Sequence, residues 1–289
     1  MSSHREIDDV TGVETTGHEW DGIKELNKPL PRWWLLSFYA CIIWGIGYMI
    51  AYPAWPTLTG YTKGMLGYSQ RAAVAAEVKS AENTQQGIRA RLASTPLEAI
   101  SKDPELLRFA QTAGGSAFQI NCAPCHGRGA QGFMGYPNLN DDDWIWGGKI
   151  GDIQDTIQFG IRTDHKKTRA SDMPKFGIDK TLSAEQISDS AEYVLSLSGK
   201  SNDAAAVGRG GAVFKEQCIT CHGDDGKGKA ELGAPNLTDA LWLYGGSKDA
   251  VMESIRTGRG GNMPAWASKL DPVTIKALAV YVHNLGGGK

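Results

Sequence analysis

The sequence predicts an all-α protein with one N-terminal transmembrane helix followed by two tandem copies of one small helical domain. Three observations support this prediction: an uncharged apolar stretch near the N-terminus, a C-x-x-C-H pattern that occurs twice, and a set of residues that recurs around both patterns. The 289 residues fit about two domains of roughly 150 residues each. The formal net charge is only −2 and no Lys/Arg cluster stands out, so nucleic acid is not an expected partner.

The segment 32–53 is predicted to cross a membrane. No charged residue occurs from Trp33 to Tyr52, and a helix of about 20 residues at about 1.5 Å per residue spans a hydrocarbon core of about 30 Å. Trp34 and Trp55 add aromatic side chains at the two ends, as is typical of membrane interfaces. A cleaved signal peptide is the alternative, although its apolar region would be shorter and closer to the N-terminus.

The charges that flank this stretch predict its orientation. Lys24, Lys28 and Arg32 precede it, whereas the first lysine after it is Lys63. Cytoplasmic flanks carry the excess of Lys and Arg, so we expect the N-terminus in the cytoplasm of a bacterium. The rest of the chain would then lie in the periplasm, held by a single pass through the inner membrane.

Segment 1–31 is predicted to be a polar cytoplasmic tail. Trp20, Ile23 and Leu26 recur at helical spacing and suggest a short amphipathic segment within it. A merely solvated tail is the alternative.

Segment 54–104 is predicted to be a periplasmic connector. Its sequence from Ser69 onward is rich in alanine and favours a long helix that Ser69 would cap. Such a helix would hold the later domains at a set distance from the membrane, whereas a flexible tether is the alternative.

The C-x-x-C-H pattern is typical of covalent c-type haem attachment. Two cysteines three residues apart lie on one turn and can bond to neighbouring rings of one porphyrin, and the histidine that follows can reach the iron. One copy could also be half of a zinc site, a redox dithiol or a small disulfide loop. A second copy makes those alternatives improbable, and two covalently bound haem c groups are predicted at Cys122, Cys125 and His126, and at Cys218, Cys221 and His222.

An internal repeat indicates two domains of one kind, at 105–200 and 207–289. Pro137-Asn138-Leu139 is repeated as Pro235-Asn236-Leu237 at an offset of 98 residues. Tryptophans and a pair of glycines recur at the same offset. Each domain is too small for a large core and would depend on the porphyrin to fill it.

Each repeat is predicted to begin with an opening helix that leads into the haem motif and to end with a closing helix. The first closing helix has a capping-box pattern, Ser183 with Gln186, and the second begins with Asp271-Pro272. Glycine and aromatic residues at matching places would let the terminal helices cross closely: Gly115, Phe118 and Tyr193 in the first repeat, and Gly211, Phe214 and Tyr281 in the second.

Met173 and Met263 are the predicted sixth ligands of the iron. Each precedes a proline in a loop ahead of the closing helix, and His/Met ligation raises the haem potential into the range useful for electron carriers. Met134 is interpreted as packing, and His165 is the only other histidine retained as a remote ligand candidate.

Further residues are predicted to support the haems. The carbonyls of Pro137 and Pro235 would accept a hydrogen bond from the second nitrogen of the ligating histidines. Arg162 and Arg256, which recur in a shared I-R-T, could pair with haem propionates or lie at the surface.

With these residues in place, the chain resembles a known family over essentially its whole length. The N-terminal stretch "EWDGIKELNKPLPRWWLLSFYACIIWGIGYMIAYPAWP", then "LGYSQR" and two C-x-x-C-H domains, is similar to the membrane-anchored di-haem cytochrome c subunits of cbb3-type cytochrome c oxidases, called FixP or CcoP. The resemblance implies two tandem class I cytochrome c domains.

The resemblance also implies a role in electron transfer. Electrons would come from a donor cytochrome c or the bc1 complex, pass through both haems to the mono-haem cytochrome subunit, and continue to the catalytic subunit, which reduces oxygen and pumps protons. The chain itself would not be an enzyme. The resemblance further implies that the methionines can be exchanged between domains, with Met263 serving the first haem and Met173 the second. Sequence order instead suggests that each methionine serves the haem of its own repeat, and both pairings stay open at this point.

Three other roles compete with this one. A free-standing, membrane-anchored shuttle similar to cytochrome c4 would need no elaborated anchor. A di-haem peroxidase would need an iron with an open sixth position, whereas both domains have a Met-Pro sequence. A purely structural role would leave the paired ligands unexplained.

Overall fold

A computed structural model describes residues 6–286. Residues 1–5 of the predicted tail and 287–289 of the second repeat lie outside the described residues. The chain divides into two compact units between Thr84 and Gln85, and each is described by itself. Helices dominate both units, which confirms the predicted fold class.

The described part of the first unit contains a β-hairpin where the helical spacing suggested a short amphipathic segment. Strands β1 (Thr15–Trp20) and β2 (Ile23–Leu26) pair antiparallel. The two residues between them, Asp21 and Gly22, have φ values of 50° and 84°, which is the left-handed pair of a type I′ turn. The helical segment suggested by the spacing of hydrophobic residues is therefore wrong; the Asp-Gly pair was the sequence signal for a hairpin.

Helix α1 (Arg32–Ala51) is the predicted membrane span. It is long and apolar enough to cross a membrane, with a mean hydropathy of 1.7, and none of its residues is buried within the protein. The chain then turns back through a small hairpin, β3 (Pro56–Thr57) and β4 (Gly60–Tyr61). Such an exposed apolar cylinder is stable only in a non-aqueous surrounding.

Helix α2 (Gln70–Ser94) is the predicted connector helix. The Ser69 hydroxyl accepts a hydrogen bond from the Ala72 amide at 3.3 Å, as expected of a cap. In the second unit, the last turn of α2 leads into the short helix α3 (Leu97–Ile100).

Four long helices frame the second unit: α4 (Pro104–Asn121), α7 (Ala184–Ser196), α8 (Ala204–Gln217) and α11 (Pro272–His283). The predicted capping box at Ser183 and Gln186 is present, and Asp271 caps α11. Helix α4 packs on α11, and α7 packs on α8. Each pair therefore combines the opening helix of one sequence repeat with the closing helix of the other.

Glycines allow both pairs to cross at short distance. A Cβ atom on Gly114 would lie 2.3 Å from the carbonyl oxygen of Ala277, and one on Gly210 would lie 2.0 Å from that of Asp189. Next to these glycines, the closing tyrosines lie over the opening phenylalanines, with ring centroids 5.3 Å apart in the Phe118–Tyr281 pair and 4.9 Å apart in the Phe214–Tyr193 pair. The predicted glycine–tyrosine contacts exist, but across the repeats.

Shorter helices complete the unit: α5 (Ala123–His126), α6 (Ile150–Phe159), α9 (Ile219–His222) and α10 (Lys248–Thr257), with a 3₁₀ turn at Ala230–Leu232. Helix α6 packs on α11, and α10 packs on α7. The 105–200 and 207–289 segments remain predictions as domain bounds, because the packed groups of helices draw on both.

Candidate haem-binding site

Both C-x-x-C-H motifs fold into the same single turn. Cys122 directly follows the last residue of α4, and the amide of His126 donates to the Cys122 carbonyl at 2.9 Å. Cys218 and His222 repeat this contact at 2.9 Å. The two thiols and the imidazole of each motif are therefore held on one turn, as attachment to a single porphyrin requires. We call the surroundings of His126 the first site and those of His222 the second site.

Both histidines are oriented by a proline carbonyl, as the sequence predicted. The Nδ1 atom of His126 lies 3.0 Å from the Pro137 oxygen, and that of His222 lies 3.1 Å from the Pro235 oxygen. A carbonyl oxygen can only accept, so Nδ1 carries the hydrogen and Nε2 keeps its lone pair. Burial lowers the pKa of both imidazoles, which favours the neutral form that binds iron.

The first cysteine of each motif is a poor candidate for redox dithiol chemistry. Burial, assisted by the neighbouring thiol, raises the pKa of Cys122 and of Cys218 to about 11. A dithiol that exchanges with disulfides depends on a lowered thiol pKa. Here the pKa of the first cysteine of each motif is raised instead, which argues against a redox dithiol.

A cavity of about 590 Å³ includes both motifs. The surface that lines it is largely apolar, as a porphyrin face requires. Two buried indole nitrogens, Trp144 Nε1 and Trp242 Nε1, lie in residues that line the cavity and have no hydrogen-bond partner among the residues that the structure describes. Buried donors are normally paired, and haem carboxylates are acceptors of suitable charge. The apolar lining, the paired thiols and the unpaired donors fit haem.

The two predicted methionine ligands lie in the site of the opposite repeat. Met263 packs in the apolar cluster that contains Phe118 and Cys122 of the first site. Met173 packs in the cluster that contains Phe214 and Cys218 of the second site.

Both methionine loops are fixed by backbone contacts at the ends of short helices. Met263 exchanges two hydrogen bonds with Ile161, at 2.9 and 3.0 Å, just after α6. The backbone of Met173 lies against Gly258 at the end of α10, where a Cβ atom would lie 2.3 Å from the Met173 oxygen. Each methionine therefore lies with the closing helix of its own repeat, in the apolar cluster around the haem motif of the other repeat.

Three other sequence interpretations are changed by the structure. Met134 is 78% exposed, so its interpretation as a packing residue is wrong; it lies in a loop at the surface. Arg256 binds Glu253 within its own helix and does not line the cavity, whereas Arg162 and Arg259 do. His165 stacks on Phe159 with ring centroids 5.1 Å apart and is not among the residues that line the cavity.

Two family models match the chain. The one described as the N-terminal domain of cytochrome oxidase-cbb3, FixP, matches residues 12–59. The one described as cytochrome C oxidase, cbb3-type, subunit III matches residues 109–194 and 205–282. The second model thus matches twice, once for each repeat.

Full-length relatives carry the same description. A cbb3-type cytochrome c oxidase subunit FixP from Bradyrhizobium sp. (strain ORS 278) is 54% identical over 293 residues, covering 100% of both chains. A subunit FixP from Rhizobium meliloti (strain 1021) is 53% identical and covers 99% of both chains. A cbb3-type subunit CcoP from Azospirillum brasilense is 50% identical, covering 99% of this chain and 100% of that one.

Proposed function

The chain belongs to the family of FixP and CcoP subunits of cbb3-type cytochrome c oxidases, and on that premise we propose that it transfers electrons through two covalently bound haem c groups. Its thiols at Cys122 and Cys125, and at Cys218 and Cys221, would attach one haem each. The iron supplies reversible one-electron chemistry when bound. The two motifs share one apolar cavity, which supports passage of electrons between them.

The axial ligands are proposed as His126 with Met263 and His222 with Met173. The observation that carries this assignment is the position of each methionine in the apolar cluster of the opposite repeat. The proline carbonyls keep the histidine Nε2 atoms free for iron and make the imidazoles stronger ligands. The thioethers of Met263 and Met173 would favour the reduced iron and would keep the haem potentials high.

The proposed topology is a single pass through the bacterial inner membrane. Lys24, Lys28 and Arg32 lie before α1 and favour a cytoplasmic N-terminus, since Lys63 is the first lysine beyond it. Both haem sites would then lie in the periplasm.

The proposed partners are the other subunits of a cbb3 oxidase. The chain would accept electrons from a donor cytochrome c or a bc1 complex. It would pass them to the mono-haem cytochrome subunit and through it to the catalytic subunit. The chain alone would carry electrons without reducing oxygen.

The ligand assignment can be tested with volume-matched variants of the full chain. Met263→Leu and Met173→Leu should each leave both haems attached, while one haem loses its low-spin optical and EPR signature. Met252→Leu is the matched control, because Met252 packs in the same apolar cluster as Met173 but is not a proposed ligand.

The pairing is tested in a chain that keeps only the first haem, made with Cys218→Ala and Cys221→Ala. There, Met263→Leu should change the spectrum and Met173→Leu should not. The reverse result would place each methionine on the haem of its own repeat, and no spectral change in any variant would refute the assignment. Co-purification with a copper–haem oxidase tests the subunit role separately.

A further inference from the structure

Two arginines occupy matched places ahead of the methionine ligands. Arg169 and Arg259 each lie four residues before a methionine, in the sequences R-A-S-D-M and R-G-G-N-M that end at Met173 and Met263. The more obvious repeat, I-R-T, pairs Arg162 with Arg256 and hides this match. The structure gives Arg169 and Arg259 similar contacts, although Arg259 is among the residues that line the cavity and Arg169 is not.

Arg259 is held at the second site. Its guanidinium lies 4.7 Å from the centre of the Tyr244 ring, and its Nε donates to Ser254 Oγ at 3.0 Å. Its Nη2 donates to the Ala250 carbonyl and to Ser254 Oγ, both on α10. Arg259 lines the cavity.

Arg169 is held in a similar way at the first site, next to Trp146, which lines the cavity. Its guanidinium lies 5.5 Å from the centre of the Trp146 ring, and its Nη2 donates to the Asp152 carbonyl on α6 at 3.2 Å. Trp146 and Asp152 are the counterparts of Tyr244 and Ala250 at the repeat offset. The Nε atom of Arg169 is buried and has no hydrogen-bond partner within residues 6–286.

The charges around the two arginines differ. Arg169 has the Asp152 carboxylate 3.6 Å away. Within residues 6–286, no carboxylate forms an ion pair with Arg259, whose hydrogen bonds go to a hydroxyl and a carbonyl. A partly buried cation without an anion is unfavourable, and the cavity that Arg259 lines is proposed to hold a group with two carboxylates.

We infer that each R-x-x-x-M segment contacts both haems. Its arginine would pair with a carboxylate of the haem at one site, and its methionine would be a ligand of the iron at the other site. Arg259 contacts α10 of the second site, whereas Met263 lies in the first. Arg169 contacts α6 of the first site, whereas Met173 lies in the second. The role of the methionines depends on the proposed function. The role of the arginines is inferred from the contacts of their guanidinium groups.

Removal of the cation should lower the potential of one haem only. A positive charge close to the haem disfavours the additional charge of the oxidised iron, so its loss favours oxidation. We expect Arg259→Gln to shift the reduction equilibrium of the second-site haem about tenfold toward the oxidised form. For a one-electron couple this is a fall of about 59 mV. Arg169→Gln should lower the potential of the first-site haem by less, because Asp152 already offsets its charge.

The experiment is a redox titration of the full chain with resolved haem potentials. Arg256→Gln is the matched control, since Arg256 is three residues away and binds Glu253 at the surface. Arg259→Gln should lower the haem potential in a chain that keeps only the second haem (Cys122→Ala with Cys125→Ala). It should have no effect in a chain that keeps only the first (Cys218→Ala with Cys221→Ala). If these chains do not fold, Met263→Leu labels one haem by its high-spin spectrum, and Arg259→Gln should shift the other haem.

Three outcomes would overturn the inference: an unchanged potential, an equal shift in Arg256→Gln, or a shift in the same haem that Met263→Leu alters. A missing spectral change in Met263→Leu would instead refute the ligand assignment. In that case the single-haem chains still decide the role of Arg259.

Discussion

The second unit contains two helix crossings, α4–α11 and α7–α8. They share the same glycine and tyrosine pattern but differ in the residues that cover them. The outer side of the α4–α11 crossing is buried under α2 and α3, in an apolar cluster of Leu92, Ile100, Leu106, Ala110, Ala277 and Val280. At the α7–α8 crossing, the buried carboxylate of Asp189 is paired with Arg209, which is half exposed. The repeat counterparts of Asp189 and Arg209 are Ala277 and Ala113. The two repeats therefore share the geometry of the crossing. The neighbouring residues differ because one crossing is covered by apolar side chains and the other has an ion pair.

The largest expected effect tests the shared part of the two crossings. Gly210→Ala and Gly114→Ala each place a Cβ atom within 2.3 Å of a backbone oxygen, and a backbone atom cannot move aside as a side-chain tip can. We expect each variant to lower the free energy of unfolding by roughly 1–3 kcal/mol or more, with the larger loss for Gly210, as thermal unfolding would measure.

Gly208 is the matched control for this substitution. It lies in α8, and a Cβ atom there would meet nothing within 4 Å. Gly208→Ala should be neutral or stabilising by about 0.5–1 kcal/mol. Equal behaviour of Gly208 and Gly210 would show that the close crossing does not limit stability.

The second prediction tests how the end of α2 is held against the α4–α11 crossing. The Nζ atom of Lys276 donates to the carbonyls of Leu92, Ala93 and Thr95 at 3.1, 2.9 and 2.7 Å. This ammonium stabilises the negative end of α2. Lys276→Met should leave these carbonyls unpaired and cost about 1–3 kcal/mol.

Hydrogen exchange at the end of α2 would locate this loss. Lys215→Met is the control, since Lys215 is an exposed lysine of the other crossing. Faster exchange confined to residues 85–100 supports the docking role of Lys276. Uniformly faster exchange would mean that the whole unit is destabilised instead.

Sequence patterns were sufficient for the local structure of this chain. The uncharged stretch became α1, Ser183 with Gln186 became a capping box, and the Pro137 carbonyl lies against the His126 ring. Each of these features depends on residues that are close in sequence, so the pattern and the contact coincide.

The pairing of helices could not be predicted in the same way. Tyr193 and Tyr281 occupy equivalent places, so either closing helix satisfies the glycines of either opening helix. The connection from α7 to α8, residues 197–203, was the available signal, because short connections favour antiparallel neighbours. The sequence did not indicate a role for Arg259, because the I-R-T repeat is a stronger match than R-x-x-x-M. Only the R-x-x-x-M match places the two arginines in similar contacts with an aromatic ring and a short helix.

The smallest expected effect tests the polar part of the α7–α8 crossing. Arg209 Nε and Nη2 donate to the two oxygens of Asp189, both at 2.7 Å, and these hydrogen bonds hold the pKa of Asp189 below its ordinary value. Arg209→Ala alone should destabilise the protein, because it leaves the buried carboxylate of Asp189 without its cation. Asp189→Ala with Arg209→Ala should recover much of the loss, since it reproduces the alanine pair of the α4–α11 crossing.

The pH dependence of unfolding distinguishes this ion pair from simple packing. A carboxyl with a lowered pKa contributes stability that is complete above its unfolded pKa of about 3.9 and is lost as the pH falls through the folded value. The melting temperatures of the wild type and the double variant should therefore differ by a constant amount above about pH 5 and converge below about pH 4. Glu253→Ala with Arg256→Ala, which removes an exposed ion pair, should show little of this convergence. A constant difference at every pH would mean that Asp189 and Arg209 act through packing and not through charge.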